Sequence, residues 1–407
     1  MDSRGKGAQD RADRSPRTLA WTFALQVYVP LRLAVSGVAA VVRALYAGDL
    51  VPDAVLRPYL GAMPIDGGWR GLLLGVWQRW DTLWYMLIAR EGYSMTDTRI
   101  FAPPLYPWLM RLVGSMLGGH DEAYLLAGLL VSNLACIALF FYLFRLVAME
   151  AGMACARRTV VYLSVFPTAF FLLAGYAESL FLLCTVAAFY YARRGQWVAA
   201  GVWSVFAPLA RLPGAVIVVP LGWEYVRQWW FSRQTSHPLP WRHAWPLMLT
   251  VAGALAFPAY AYLVVGSGSW LAPFVIHTQR FAGHFAMPWA SLWQAVRVPA
   301  SGSFRAIEPF DLLFAVSFVM LTVAAFRKLP SVYGVFMAVV LVGTLAKVGE
   351  VQPLLSLSRY VLALFPGFIV LARWVGQSPW RNRLVVYPLA ALLVFYAGQF
   401  AIWGWVG

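Results

Sequence analysis

Long apolar runs broken by short basic clusters recur along this chain. The run LLAGLLVSNLACIALFFYLF (125–144) carries no charged residue, and about 20 such residues span the ~30 Å hydrocarbon core of a bilayer. Comparable runs predict eleven spans, near 18–46, 122–148, 159–176, 178–193, 196–212, 214–230, 245–266, 310–326, 331–348, 358–374 and 384–405. With 61% hydrophobic and 12% charged residues, the pattern predicts an all-α polytopic membrane protein. Residues 1–17 are polar and lack an apolar core ending in a cleavage site, so they read as a basic cytosolic tail rather than a signal peptide. Residues 18–407 then form one transmembrane domain.

The polar positions orient the spans. With the N-terminus in the cytosol, one side holds Arg4, Lys6, Arg11, Arg14, Arg17, Arg145, Arg157, Arg158, Arg193, Arg194, Arg227, Arg233, Arg242, Arg327, Lys328, Arg373, Arg381 and Arg383. These are 18 of the 32 basic residues, against 5 of the 17 acids (Asp2, Asp10, Asp13, Glu150, Glu224). Lys and Arg set orientation, so the net charge of +15 is mostly a topology signal and nucleic acid is excluded as a partner. Two long extracytoplasmic loops follow, 47–121 and 267–309. Within the first, PLYPWLMRLVGSML is short for a span and contains Arg111, so segment 104–118 is expected to lie on the membrane or dip into it. Cys136, Cys155 and Cys184 suggest no disulfide framework.

The remaining ionisable groups sit at the outer ends of spans: Asp81, Glu91, Glu178, Arg211, Glu308, Asp311, Glu350 and Arg359. Transporters usually place such groups at mid-membrane, where each costs roughly 2.5–3.5 kcal/mol. A reaction site at the outer surface does not require that. The chain has no Gly-x-x-x-x-Gly-Lys-Ser/Thr loop, no His-Glu-x-x-His, no zinc-spaced Cys/His cluster and no Asp-x-Asp pair. Nucleotides are made in the cytosol, so an activated donor at such a site must arrive on a lipid. A carboxylate ionised at neutral pH can take the proton of an acceptor hydroxyl, and arginine presents a planar fork to phosphate oxygens. One base with direct displacement inverts the anomeric centre. Retention would normally want two carboxylates ~5–5.5 Å apart, and the sequence leaves both open.

Five stretches carry a resemblance. RWDTLWYMLIAREGY (79–93) with FAPPLYPWLMRL (101–112), VSNLACIALFFYLFRL (131–146), FPTAFFLLAGYAESLFLL (166–183), LARLPGAVIVVPL (209–221) and SRYVLALFPGFIVLA (358–372) occur in the order seen in PIG-V-like mannosyltransferases, relatives of GPI mannosyltransferase 2. The chain resembles the shorter prokaryotic members over roughly residues 20 to 375. The resemblance implies the GT-C membrane glycosyltransferase fold and a dolichyl- or other polyprenyl-phosphate mannose donor. It places the catalytic carboxylate at Asp81 and leaves the acceptor, a lipid or a glycan, undefined.

Each candidate has a plain alternative. Asp81 could simply cap a helix beginning at Thr82. Arg79 could meet a lipid headgroup, and Arg211 could snorkel. Glu178 suits a helix N-terminus, whereas Arg359 near a span start is a misfit there that favours a phosphate. Trp80, Trp84 and Tyr85 could stack on a sugar or anchor at the interface. His277, Gln279, Arg280 and His284 form an amphipathic stretch that could touch substrate. The expected function is therefore inverting transfer of mannose or a similar hexose from a polyprenyl phosphate, on the extracytoplasmic face of the cell membrane. Asp81 is the expected base and Arg211 and Arg359 the expected phosphate ligands. No cofactor is needed, and a divalent ion stays compatible. The alternatives are a transporter or flippase of lipid-linked sugars, which needs no base, and a non-catalytic assembly partner.

Overall fold

The structure is a computed structural model, and it describes residues 16–46, 51–233, 244–279, 283–297, 308–349, 352–354 and 356–406. Its seventeen described α-helices carry almost all the regular structure. Five are long and apolar enough to cross a membrane: Arg17–Leu45, Asp121–Ala151, Pro246–Val265, Pro309–Lys328 and Pro379–Ala401. Trp197–Ala210, Ser331–Leu345 and Phe365–Val375 are shorter apolar helices. The first helix, α1 (Pro16–Leu45), shows why such faces need lipid: Leu25, Val29, Leu33 and Val41 are all exposed on it, an apolar stripe that water would disfavour.

The first long loop folds over the bundle. In it the Asp53 carboxylate accepts the Leu56 and Val55 amides at 2.6 and 2.8 Å, and these bonds hold its pKa below the ordinary carboxylate range. After the short α2 (Gly68–Leu73), Gln78 is fully buried and donates to the Met63 carbonyl while accepting the Ile65 amide. Then come α3 (Asp81–Glu91) and α4 (Leu105–Met116). The twelve residues of α4 reach about 18 Å, shorter than a bilayer core. Tyr106, Met110 and Gly114 face inward while Trp108, Leu112 and Met116 are exposed.

α4 rests on α5 (Asp121–Ala151), the longest helix. α6 (Met153–Ser164), α7 (Glu178–Arg193) and α8 (Trp197–Ala210) follow, with α5, α7 and α8 forming the centre of the bundle. The span expected over 159–176 is not one helix. α6 ends at Ser164, a short 3-10 turn covers Ala169–Leu172, and α7 starts at Glu178. Pro167 and Gly175 punctuate the break. Every residue from Phe166 to Tyr176 is buried, the condition under which non-helical backbone survives at membrane depth. A Cβ on Gly175 would sit 2.7 Å from Thr82 Cγ2, so only glycine lets this break approach the start of α3.

A second break follows α8. Arg211 is extended, and Leu212–Ile217 form a 3-10 turn before α9 (Val218–Ser232). A Cβ on Gly214 would meet the Ala207 carbonyl carbon at 2.3 Å, so this turn folds tightly back on α8. The remaining helices are α10 (Pro246–Tyr260, extended by a π turn), α11 (Ala272–Gln279), α12 (Pro288–Arg297), α13 (Glu308–Lys328), α14 (Ser331–Leu345), α15 (Leu357–Val361), α16 (Phe365–Val375) and α17 (Pro379–Ala401). A two-stranded antiparallel ribbon joins β1 (Gly283–Phe285) to β2 (Lys347–Gly349), with Phe285 opposite Lys347. Beyond α17 the segment 402–406 turns back onto the first loop, where Trp403 meets Tyr59 and Trp80.

Candidate active site

Four charged side chains from four separate segments meet at the breaks. Asp81 is the first residue of α3 and Glu178 the first of α7; Arg211 lies in the extended link after α8, and Arg359 in α15. Arg359 is the bridge. Its NH1 donates to Asp81 Oδ2 at 2.8 Å, and its Nε donates to Glu178 Oε1. Arg211 donates to that same Glu178 oxygen. Asp81, Glu178 and Arg359 are buried, at 6, 3 and 7% exposure, so the pairs are shielded from water. Two carboxylates balance two guanidiniums. Glu178 Oε2 has no hydrogen-bond partner.

Aromatic and backbone groups fix this arrangement. The Asp81 amide donates to the Tyr176 hydroxyl at 3.2 Å. The Arg359 guanidinium lies 4.7 Å from the Tyr176 ring and 4.9 Å from that of Phe171, a geometry that holds cations electrostatically. Arg211 lies 5.5 Å from the Tyr360 ring. The short helix α15 is held at both sides: Asp311 of α13 accepts the Ser358 amide at 3.0 Å, and Thr168 donates to the Ser358 carbonyl at 2.8 Å. Tyr85, one turn along α3 from Asp81, packs edge-on against Tyr106 and Tyr176. Burial, then the charges of Asp81 and Glu178, push its phenol above the ordinary range, so it remains a proton-bearing hydroxyl.

The site opens into two adjoining cavities. A narrow one of about 30 Å³ is lined by Asp81, Tyr85, Arg211, His277, Ser356 and Arg359, among others. A larger one of about 300 Å³ shares Leu212, Pro213, His277 and Tyr360 with it and continues along Val216, Phe274, Val339, Val340 and Gly343 to Lys347. Polar atoms end on a carboxylate and two guanidiniums; apolar walls run away from them.

The expected site residues separate into two groups. Asp81, Tyr85, Arg211, His277 and Arg359 line the narrow cavity, and Glu178 is tied to them through both arginines. Arg79, Trp80 and Trp84 do not line either cavity. Arg79 is buried and donates to the carbonyls of Gly75 and Gln78 at 2.7 and 3.0 Å and of Ala401 at 3.4 Å, with its guanidinium 4.9 Å from the Trp403 ring. Burial lowers its pKa to about 10, which still leaves it charged at neutral pH. Trp80 packs edge-on between Trp403 and Trp405, and Trp84 packs edge-on to Phe101. Trp80 has φ +52°, a rare conformation for a bulky residue that costs of order 1–3 kcal/mol. Gln279 ends α11 and His284 is exposed in β1; Arg280 and Glu350 fall outside the described residues.

The capping alternative for Asp81 placed the helix start at Thr82; the helix begins one residue earlier. α3 begins at Asp81 itself, with Trp80 in the cap position and no side-chain cap bond. Asp81 is thus a first-turn carboxylate held by Arg359. Sequence reading missed Tyr176, Phe171, Tyr360 and Lys347 as parts of the site. The aromatics are unremarkable in an apolar run, and Lys347 reads as a charge at the end of a span. Among the described residues, no group of three His, Cys, Asp or Glu side chains could hold a metal ion.

The fold is therefore a mostly helical, multi-pass membrane architecture, the class expected of GT-C membrane glycosyltransferases, with a buried carboxylate–arginine site where α3 and α7 begin. Residues 42–235, just under half of the chain, match the family described as Mannosyltransferase (PIG-V). Over that region the chain is similar to PIG-V-like mannosyltransferases, and glycosyl transfer is the class of activity the match supports. The matched region contains Asp81, Glu178 and Arg211; Arg359 lies beyond it. None of the curated proteins matches the chain. Two solved structures are similar at low identity. One is ArnT from Cupriavidus metallidurans bound to undecaprenyl phosphate, with 13% identity and a TM-score of 0.45 over 79% of this chain and 71% of that one. The other is the Archaeoglobus fulgidus oligosaccharyltransferase complex with Zn and sulfate, with 12% identity and a TM-score of 0.41 over 90% of this chain. This chain spans about half of that protein, 53%. Both likenesses are too distant to transfer residue roles.

Proposed function

We propose that this protein transfers mannose, or a similar hexose, from a polyprenyl phosphate to a lipid or glycan acceptor on the extracytoplasmic side of the membrane, with inversion. The observation that carries this reading is Arg359 bridging Asp81 and Glu178 beside a cavity that turns from charged to apolar. An amphiphile with an anionic head and a long apolar tail fits that gradient. Asp81 takes the proton of the acceptor hydroxyl as the acceptor oxygen attacks the anomeric carbon. The bond from that carbon to the phosphate oxygen breaks, and its electron pair leaves with the phosphate. A phosphate is a good leaving group and needs no proton.

Arg359 and Arg211 face the leaving group in this reading. Both are engaged by carboxylates. A phosphate entering beside them competes for the same N–H donors, so donor arrival loosens the grip of Arg359 on Asp81 and frees the base. Glu178 keeps the two guanidiniums together. Tyr85 supplies a hydroxyl toward the sugar.

The test uses purified full-length protein, radiolabelled polyprenyl-phosphate mannose and a membrane lipid extract. Labelled product and released polyprenyl phosphate are expected from the wild type. Movement of the intact donor across vesicles with no transfer would replace this reading with that of a flippase.

A further inference from the structure

We infer that Lys347 and His277 extend the phosphate site beyond Arg211 and Arg359, supplying the further positive charge that the phosphate leaving with the prenyl chain requires. This inference rests on the proposed transfer reaction and specifies where its lipid phosphate is held.

The charge balance motivates it. The two guanidiniums of the cluster are matched by two carboxylates, so the cluster by itself offers an anion no excess of positive charge. The leaving group gains charge during the reaction. A sugar-linked prenyl phosphate is a diester with one negative charge; the released monoester carries about −1.5 to −2 at pH 7. Additional positive charge is therefore required where the lipid is held.

The 300 Å³ cavity supplies it. Lys347 and His277 are its basic lining residues, in a wall built mostly of Val216, Phe274, Val339 and similar side chains. Lys347 Nζ lies 3.2 Å from His277 Nδ1 and 3.3 Å from the His277 carbonyl. The two residues come from different elements and are brought together by the ribbon, which sets Lys347 opposite Phe285 while the Ala286 amide donates to the Ala346 carbonyl at 2.9 Å. His277 also lines the narrow cavity with Asp81 and Arg211. The pair thus stands where the apolar groove meets the reaction site, as the junction of a phosphate and a prenyl chain would. A lysine ammonium suits a phosphate whose charge changes, because its three donors rotate on a flexible stem.

Gly343 marks the groove for the chain. It lines the cavity, and a Cβ there would meet nothing within 4 Å. A larger side chain at this position therefore enters the groove without a backbone clash, and the loss of a helical glycine favours the helix.

Binding of decaprenyl phosphate to the full-length protein in detergent tests the assignment, with decaprenol, inorganic phosphate and phosphatidic acid as comparison probes. The wild type is expected to bind decaprenyl phosphate in preference to all three. Lys347→Met keeps the stem and removes the charge, and is expected to weaken binding about tenfold or more, the cost of one charge-assisted hydrogen bond. Lys347→Arg is expected to restore most of it. Gly343→Phe should weaken decaprenyl phosphate while leaving inorganic phosphate unchanged. Wild-type affinity in Lys347→Met, with thermal unfolding confirming a folded protein, overturns the subsite. Equal displacement by phosphatidic acid also overturns it, since the groove would then be a general lipid site. A wild-type protein that binds decaprenyl phosphate through Lys347 but transfers no sugar sinks the proposed reaction and leaves the subsite standing. A Lys347→Met protein that binds and transfers normally does the reverse.

Discussion

Helix α7 joins two buried ionic networks of the same composition, two carboxylates and two arginines, separated by its 16 residues, or about 24 Å. At its first residue lies Asp81–Arg359–Glu178–Arg211. At its last lies Glu150–Arg193–Glu224–Arg227. The second is closed. Arg193 donates to Glu150 at 2.5 Å and to Glu224 at 2.6 Å; Arg227 adds bonds to both Glu224 oxygens, at 2.7 and 2.8 Å. Neutral groups complete it: Tyr333 donates to Glu150 at 3.0 Å and Gln228 to Glu224 at 2.7 Å. At the Glu178 end two arginines crowd one carboxylate oxygen, the other oxygen is unpartnered, and cavities adjoin. Charge content alone does not distinguish structural clamp from reaction site. Completeness of hydrogen bonding and access to a cavity do.

The contrast breaks most visibly at Asp81. Asp81→Asn keeps size and shape but cannot accept the acceptor's proton, so sugar transfer is expected to fall by about 10²–10⁴ while the protein unfolds near the wild-type temperature. Transfer at the wild-type rate would make this network structural too. Arg193→Met has the opposite profile. It takes the paired arginine from buried Glu150, leaving it the Tyr333 hydroxyl, and leaves Glu224 to Arg227 and Gln228; breaking the buried pair is expected to cost about 3–5 kcal/mol in denaturant unfolding, with the affinity of the folded fraction for decaprenyl phosphate unchanged. An equally stable Arg193→Met protein would show that the closed network is no clamp. Glu178→Gln sharpens the comparison by its sign. Removing the shared negative charge lowers stability, yet it releases Arg211 and Arg359 for an anion, so decaprenyl phosphate binding should tighten, on the order of tenfold for ~1.4 kcal/mol of relieved competition. Weaker binding would mean that Glu178 itself touches the donor. Tyr333→Phe is the smallest step. It removes one hydrogen bond to Glu150 and should cost about 0.5–1.5 kcal/mol by the same unfolding measurement.

Composition exposes some of this and hides the rest. The helical membrane class follows from apolar runs alone. Asp81 stands out because a carboxylate interrupts an aromatic stretch, and Arg359 because a cation at a helix start opposes the macrodipole. The break at 165–177 is obscured because FPTAFFLLAGYA is equally apolar as a helix or as a packed irregular segment; only Pro167 and Gly175 signal it. Arg79 and Trp80 read as site residues by their adjacency to Asp81. Their true neighbours, Ala401, Trp403 and Trp405, lie more than 300 positions away, beyond the reach of any local pattern. The pairing of Lys347 with His277 is hidden for the same reason, since a ribbon between distant loops creates it.

The clasp of Trp403 and Trp405 over Arg79 and Trp80 also sets a timetable. Trp80, next to Asp81, is made early, whereas its packing partners Trp403 and Trp405 follow more than 300 residues later. The Arg79–Ala401 contact closes a sequence distance of 322 residues. At roughly 5–20 residues per second the ribosome needs about 16–64 s to cover it. During that interval the first loop has emerged and its carboxylate lacks both the clasp and, until residue 359 is made, its arginine. A nascent chain is thus without this clasp, and without the assembled candidate site, until α17 and the tryptophans after it have been made.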